Sequence, residues 1–280
     1  MELAIPQNNR RRLTNTIMTT LTALCAFIAV TILALILGYI AYRGVTSINL
    51  QFLMDTPKPV GEGGGIGHAI VGTLILLGIA SVIGLPLGIA AGIYLAEFGS
   101  GWFASVARFV TDTLTGVPSI VVGVFVYTLI VLPTKHYSAL AGAIALAVVM
   151  IPIVTRTTEE MIRLVPTSLR EGALALGAPQ WKVTLGVVLP AARSGIATGA
   201  MLAIARVSGE TAPLLFTAFG SRFFNVYLDQ PMASLTVQIY NYAISPYDEW
   251  HAQAWAATLV LMTLILAINI IVRFFTRKKV

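Results

Sequence analysis

The run Ala205-Arg206-Val207-Ser208-Gly209-Glu210-Thr211-Ala212-Pro213 places an arginine and a glutamate inside Ile196–Phe219, a stretch otherwise suited to lipid. On insertion scales, each such charge at the middle of a bilayer costs about 2.5–3.5 kcal/mol. That cost is tolerated where the charges face each other, a wet cavity or a charged cargo. In a continuous helix a spacing of four places Arg206 and Glu210 on one face, where they can neutralise each other. The run therefore indicates a membrane helix that lines a path for a charged species.

The composition is that of a membrane protein. Of the 280 residues, 57% are hydrophobic and 11% are charged, and the mean hydropathy is +0.84. Soluble domains carry about 25% charged residues. This difference argues against a cytosolic enzyme or a nucleic-acid-binding protein, despite the net charge of +6. The one cysteine, Cys25, lies in the first apolar run and is expected to be a packing residue, and no metal site is predicted.

Six apolar runs predict six transmembrane helices, because a bilayer core of about 30 Å needs about 20 helical residues. The runs are Ile17–Tyr42, His68–Ala96, Phe109–Leu132, Ala139–Thr155, Ile196–Phe219 and Ala254–Phe275. The first run follows three arginines, but it is too long for a signal peptide and is predicted to be a retained anchor. In the outer segment Gly44–Gly67 a short helix is predicted around Leu50–Met54. We therefore predict an all-α polytopic membrane protein.

The positive residues predict the orientation. With a cytoplasmic N-terminus, six spans return the C-terminus to the same side. The cytoplasmic segments then contain 13 of the 18 Lys and Arg residues, and Arg206 lies within the membrane. The outer segments contain Arg43, Lys58, Lys135 and Arg222. This bias follows the positive-inside rule, so both termini are predicted to be cytoplasmic.

Glycine and proline recur inside the second and third runs. They are Gly84, Pro86, Gly88, Gly92, Gly116, Pro118 and Gly123. Small residues let membrane helices approach closely, and proline kinks are tolerated in a bundle. Close packing is the favoured interpretation of these residues, and bending during a transport cycle is the alternative.

The cytoplasmic segment Arg156–Arg193 is predicted to carry a short helix outside the membrane, over Leu169–Leu176. Ser168-Leu169-Arg170-Glu171 fits a capping box, in which the Ser168 side chain covers the amide of Glu171. Gly177 is placed to end the helix in the left-handed conformation. A helix this short is marginal alone in water, so its apolar face needs a partner surface. That surface is either the protein's own bundle or another subunit.

Charged residues before this helix stand four apart, as Arg156 with Glu160 and Glu159 with Arg163. We interpret them as solvated helix pairs, each worth a few tenths of a kcal/mol. They indicate that the fourth membrane helix extends into the cytosol. Asp112, near Arg108 and the membrane edge, is interpreted as a snorkelling or capping acid.

The run from Glu171 to Gly177, Glu-Gly-Ala-Leu-Ala-Leu-Gly, with Val187-Val188-Leu189-Pro190 after it, resembles the EAA loop of binding-protein-dependent ABC importer permeases. Gly172 replaces the first alanine of that pattern, while the glutamate, glycine, leucine and proline keep their spacing. The resemblance implies a type I ABC importer permease fold with a cytoplasmic coupling helix that docks on an ATPase subunit. It assigns that coupling role to Ser168, Arg170, Glu171, Gly172, Ala173, Leu176 and Gly177.

A second run, Gly209-Glu210-Thr211-Ala212-Pro213 preceded by Ala205-Arg206, resembles the PstA-type branch of the phosphate-specific permeases. Gly116-Val117-Pro118-Ser119-Ile120 and Met232–Thr236 also fit this branch. The resemblance implies a permease core of five transmembrane helices over 68–275, with the coupling loop at 156–193. The core follows a cytoplasmic tail (1–16) and a first transmembrane helix with its outer loop (17–67), and a cytoplasmic tail follows it (276–280).

The same resemblance implies a permease subunit of an ATP-driven inorganic phosphate importer in the cell (inner) membrane. Its implied partners are a second permease subunit of the PstC type, two copies of an ATP-binding subunit of the PstB type, and an extracytoplasmic phosphate-binding protein of the PstS type. Membrane lipid would surround the chain, and no nucleic acid is expected. No cofactor is expected in this chain either, because ATP and Mg²⁺ would bind to the ATPase subunit.

Phosphate chemistry suits the charged residues of the fifth run. Moving a bare phosphate ion through a low-dielectric region costs many kcal/mol. Arg206 offers a permanent charge and a fork of donors matched to two phosphate oxygens. Glu210 is predicted to hold Arg206 or to offset its charge, and Ser208 and Thr211 to donate weaker hydrogen bonds. The alternative is an ion pair that only joins helices.

The sequence contains no Gly-x-x-x-x-Gly-Lys-[Ser/Thr] loop, and no Ser/His/Asp arrangement or zinc spacing is apparent. The chain is therefore predicted to be a transport subunit without enzymatic activity of its own. A stand-alone secondary anion carrier or channel is the alternative function, and a membrane enzyme or scaffold is a third. The short cytoplasmic helix favours the importer subunit, because a lone carrier has no use for it.

Overall fold

The protein is a bundle of α-helices. The computed structural model describes residues 9–277, with the side chains of residues 10–274. Its helices are α1 (Asn9–Gly44), α2 (Leu50–Met54), α3 (Gly67–Ile93), α4 (Gly101–Gly116), α5 (Ser119–Val126), α6 (Leu132–Thr134), α7 (Ala139–Arg163), α8 (Thr167–Ala175), α9 (Gln180–Val183), α10 (Leu189–Ser208), α11 (Ala212–Thr217), α12 (Leu235–Ala243) and α13 (Asp248–Arg277). Single π-helical turns continue α3, α5 and α9. The expected tails at 1–8 and 278–280 lie outside the described residues.

Five helical segments are long and apolar enough to cross a bilayer. They are Arg10–Ser47, Gly67–Phe98, Ala139–Arg163, Gln180–Ser208 and Asp248–Phe274. A bent pair, Gly101–Gly116 with Ser119–Thr134, makes a sixth crossing if it is counted as one span. Each of the six predicted runs overlaps one of these segments, and the fifth run continues past Ser208 into the short helix α11. The predicted outer helix is confirmed as α2, where the Asn49 side chain caps the amide of Phe52 at 2.7 Å.

The predicted third span is not one helix. α4 and α5 meet at an angle of 105°, and Val117 between them is extended, with φ −68° and ψ 132°. Pro118 explains the break, because proline has no amide to donate and disfavours the helical conformation of the residue before it. The predicted third span over Phe109–Leu132 is therefore present as a bent pair of helices.

The predicted fifth span is broken too. α10 begins at Leu189, before the predicted start, and ends at Ser208, and the short helix α11 begins only at Ala212. Pro213 lies in the first turn of α11 and has no amide with which to bond the carbonyl of Gly209. The prediction of one helix over Ile196–Phe219 is wrong for this reason.

α3 and α7 pack closely along a row of glycines spaced four apart. A Cβ atom added at Gly88 would lie 2.7 Å from Val154 Cβ, and one added at Gly92 would lie 2.6 Å from Thr158 Cβ. Gly84 meets the side chain of Met150 in the same way. No side chain larger than hydrogen fits at these positions without a shift. The packing interpretation of these glycines is confirmed.

The main core lies around this contact. Leu76, Leu146, Met150 and Val207 are almost wholly buried there, on α3, α7 and α10. α1 lies outside the core and packs against α13, where the Tyr39 ring meets Trp255 edge-on at 5.2 Å. The most apolar window of α1 buries none of its residues. α8 lies at one end of the bundle and α12 at the other, and these are called the α8 end and the α12 end below.

Candidate functional site

Arg206 and Glu210 do not form the predicted pair. α10 ends between them, so Glu210 leaves the helical spiral and the two side chains face different cavities. Arg206 is exposed and borders a small cavity between α4, α5 and α7, beside Val117 and Ser119. Glu210 is half-buried and borders a separate cavity beside Ser234. Among residues 10–274, no ion pair joins the two charges. The assumption of one continuous helical face is wrong because Gly209 and Pro213 interrupt it.

Ser208 and Thr211 occupy the break itself. Ser208 is buried, and its hydroxyl donates to the carbonyl of Ala205 at 2.7 Å. The carbonyl of Thr211 accepts the amide of Leu214 and so starts α11. The hydroxyl of Thr236 donates to the carbonyl of Glu210 at 3.0 Å, which fixes the break against α12. Ser208 is thus committed to its own helix, and Arg206 is the exposed cation of the predicted set.

The two helix breaks lie side by side. A Cβ atom added at Gly123 of α5 would lie 2.7 Å from Cα of Pro213 in α11. The cavity beside Arg206 includes Val117, which belongs to the break between α4 and α5. At membrane depth, non-helical backbone is tolerated only where it is buried in protein or lines a cavity. Two adjacent helix breaks therefore lie beside one exposed guanidinium.

A short helix is present where the sequence predicts one, as α8 over Thr167–Ala175. Its N-cap is Pro166, and no side chain caps it, so the predicted capping box at Ser168 and Glu171 is wrong. Pro166 is extended and brings Thr167 into the helix, which leaves Ser168 inside the first turn. Gly177 has φ +80°, the left-handed conformation that was predicted.

One side of α8 packs on the bundle and the other side is exposed. Ala173 is half-buried and packs with Val183 and Val188 of its own chain. Leu176 is 90% exposed, and Ser168, Glu171 and Gly172 are also exposed. Both predicted surfaces for this helix therefore have support, because one side packs on the bundle and the other is open.

Arg170 faces the bundle and not the open surface. Its guanidinium donates to Glu97 Oε1 at 2.8 and 3.0 Å and to the carbonyls of Ile162 and Val165. The side chains of Arg170 and Glu97 are only 20% and 7% exposed. Arg170 is therefore a positioning residue that fixes α8 to the end of α3. The role of Glu97 is not predictable from the sequence, because 73 residues separate it from Arg170 and no local pattern marks it.

A second set of charges joins α3, α4 and α7 at the α8 end. Glu159 is buried and accepts from Arg108 at 2.7 Å and from Arg163 at 2.6 Å. Arg108 also donates to the carbonyl of Leu95 at 2.6 Å. The interpretation of Glu159 as part of a solvated helix pair is wrong, because α4 brings Arg108 over it. The predicted exposed pair of Arg156 and Glu160 is confirmed. Nε of Arg156 lies 2.8 Å from Oε1 of Glu160.

Among the described residues, no group of three or more His, Cys, Asp or Glu side chains is placed to hold an ion.

Asp112 is 55% exposed, and its Oδ1 lies 3.7 Å from Nη1 of Arg156.

Comparison with known proteins gives the family. The family model described as binding-protein-dependent transport system inner membrane component matches residues 84–280. The chain belongs to this family. Its permeases include a protein named phosphate transport system permease protein PstA from Yersinia pestis, which is 49% identical over 85% of this chain and 81% of its own length. A protein of the same name from Pasteurella multocida is 44% identical over 96% of each chain. The predicted resemblance to PstA-type permeases is confirmed.

Solved ABC transporter structures share the fold. A bacterial ABC transporter involved in the import of the acidic polysaccharide alginate matches with a TM-score of 0.62 and 16% identity, over 96% of this chain and 99% of that one. The inward-facing MetNI methionine ABC transporter matches with a TM-score of 0.61 and 18% identity. The match covers 76% of this chain and 96% of that one. The predicted all-α permease fold of ABC importers is confirmed.

Proposed function

We propose that this chain is the transmembrane permease subunit of an ATP-driven importer of inorganic phosphate, and that it forms half of the translocation pathway. The observation that carries the proposal is the 44% identity to a phosphate transport permease over 96% of both chains. The free guanidinium of Arg206, beside two helix breaks, supports it with chemistry suited to that cargo.

Arg206 is proposed to hold the phosphate during passage, with Glu210, Ser208 and Thr211 around the same break. A guanidinium presents a planar fork of donors, which matches two oxygens of a phosphate ion. Among the described residues, Glu210 forms no ion pair with Arg206, and the two residues border separate cavities. The donors of the Arg206 guanidinium are then available to the anion.

The exposed side of α8 is proposed to dock on an ATP-binding subunit, which supplies the work of transport. Glu171, Gly172, Leu176 and Gly177 are exposed there. Arg170 would pass the movement of α8 into α3 through Glu97. A second permease subunit, two ATP-binding subunits and an extracytoplasmic phosphate-binding protein complete the proposed assembly. The α8 end is then cytoplasmic, as are both termini, and the permease core covers 68–275.

Phosphate uptake by Arg206→Gln tests the pathway. In the assembled transporter in proteoliposomes, this variant is expected to lose uptake while it still assembles, because the permanent charge is gone. Arg206→Lys is expected to keep part of the uptake, because it keeps the charge and loses the fork. Lys135→Asn is the matched control. It removes a cation at the α12 end, and asparagine tolerates the φ of 60° at that position.

Undiminished uptake by Arg206→Gln would contradict the role of the guanidinium. Uptake by the chain alone, without ATP and without the ATP-binding subunit, would favour a secondary carrier or channel.

A further inference from the structure

A cavity of about 670 Å³ opens at the α12 end of the bundle. The loop Pro57–Val60, the turn Phe219–Arg222, α12 and the start of α13 surround it. Lys58 and Arg222 are its two charged lining residues, and no Asp or Glu is among the described residues that line it. The walls of this cavity are therefore cationic.

Polar side chains complete the wall of the cavity. Ser234, Gln238 and Asn241 line it together with the two cations. Lysine and arginine side chains can only donate hydrogen bonds. A ligand that pairs with both cations must therefore be rich in acceptors.

The two cations differ in how far they are already neutralised. Lys58 donates to Asp55 at 2.7 Å, and this bond, with one from Gln51, holds the pKa of Asp55 below its usual range. Arg222 is exposed and has no hydrogen-bond or ion-pair partner among the described residues. Glu249, an acid nearby, is engaged with the amide of Gly61 at 2.7 Å. Arg222 therefore carries the free positive charge of the cavity.

The cavity lies next to the proposed pathway. Leu215 of α11 and Phe219, which follows α11, form part of its wall, and Arg206 lies before the other end of α11. α11 has six residues, so it is about 9 Å long. A cationic site thus flanks α11 at each end, with Arg222 on one side and Arg206 on the other.

We propose that this cavity is an oxyanion-binding site, which receives phosphate at the outer mouth before the ion reaches Arg206. The identity of the ion rests on the proposed function. The volume of about 670 Å³ leaves room for water around the ion. Binding is then weak, electrostatic and reduced by salt.

The test measures phosphate binding directly. Inorganic phosphate is titrated onto the assembled transporter in a phosphorus-free detergent, without ATP and without the binding protein, and ³¹P line broadening is followed. We expect saturable binding that weakens as sodium chloride is added. Arg222→Gln is expected to reduce the affinity about fivefold or more, since one charge-assisted contact is lost. Lys135→Asn, which removes a cation outside the cavity, is expected to bind as the unaltered protein does.

Arg206→Gln separates this proposal from the proposed function. We expect that variant to keep the saturable binding even though it does not transport. Phosphate binding that is lost in Arg206→Gln and kept in Arg222→Gln would overturn the proposal. So would the absence of saturable binding in the unaltered transporter. If Arg222→Gln fails to assemble, Lys58→Gln removes the other cation that lines the cavity. It must then weaken binding, and unchanged affinity would overturn the proposal.

Discussion

The burial of Glu159 could not be inferred from the residues next to it in the chain. Its carboxylate is 2% exposed, and it accepts from Arg108 of α4 and from Arg163 of its own helix. One residue on, Glu160 is 50% exposed and pairs with Arg156 on the helix surface. Two adjacent glutamates therefore have opposite environments, because only one of them faces α4.

This difference predicts unequal stability effects. Glu159→Gln is expected to lower the free energy of unfolding by about 3 kcal/mol, because it removes the buried charge that pairs with Arg108. Glu160→Gln is the matched control and is expected to cost less than about 1 kcal/mol, as exposed ion pairs do. Chemical unfolding in detergent micelles measures both. Equal losses of unfolding free energy in the two variants would show that the burial of Glu159 contributes nothing to stability.

At the scale of elements, the contact between α3 and α7 depends on glycines, which have no side chain to hold the helices apart. Gly88 lies so close to α7 that an added Cβ would be 2.7 Å from Val154 Cβ and 3.1 Å from the carbonyl of Ile151. Gly78 belongs to the same helix, and an added Cβ there would meet nothing within 4 Å. In lipid there is no hydrophobic driving force for helices to associate, so their association depends on van der Waals packing. Small residues allow the close approach that this packing needs.

The two glycines are therefore expected to respond differently to a large side chain. Gly88→Leu should force α3 away from α7 and destabilise the bundle by at least about 2 kcal/mol, as overpacking does. Gly78→Leu should change the melting temperature little. Thermal unfolding of the two variants in detergent provides the comparison, and a tolerated leucine at Gly88 would refute the close contact.

The charged contacts between elements are of another kind. Arg170 connects α8 to Glu97 at the end of α3, and Arg108 connects α4 to Glu159 of α7. Partners in these bonds are 73 and 51 residues apart. Two short, largely buried ion pairs therefore hold helices at the α8 end together.

For the whole molecule, the proposed orientation predicts which end reacts with a reagent that cannot cross the membrane. In a Cys25→Ser background, Leu176→Cys places a thiol at a position that is 90% exposed at the α8 end. Tyr227→Cys is the control at the α12 end, where the tyrosine is 70% exposed. An impermeant maleimide should label Tyr227→Cys in intact cells and Leu176→Cys only in inverted vesicles.

Addition of the ATP-binding subunit should then protect Leu176→Cys in the vesicles, because the open side of α8 becomes covered. Labelling of Leu176→Cys in intact cells would refute the orientation. Unchanged labelling in the presence of the bound subunit would refute docking at this residue.

The sequence by itself determined the class of the protein, its apolar runs, the short helix α8 and the left-handed Gly177. Each of these follows from interactions close in the chain, such as the length of an apolar run in lipid or the turn chemistry around one glycine. The motifs around Glu171 and Arg206 also gave the family, because they are contiguous in the chain.

Only the tertiary structure decided that Arg206 and Glu210 face different cavities, that Glu97 holds Arg170, and that Lys58 and Arg222 meet in one cavity. Proline marks a possible break, but whether a membrane helix kinks or stops depends on what its neighbours offer the freed backbone groups. The partner of a buried charge depends in the same way on which distant helix packs over it. Such proximity is a property of the packed bundle, and no local stretch of residues encodes it.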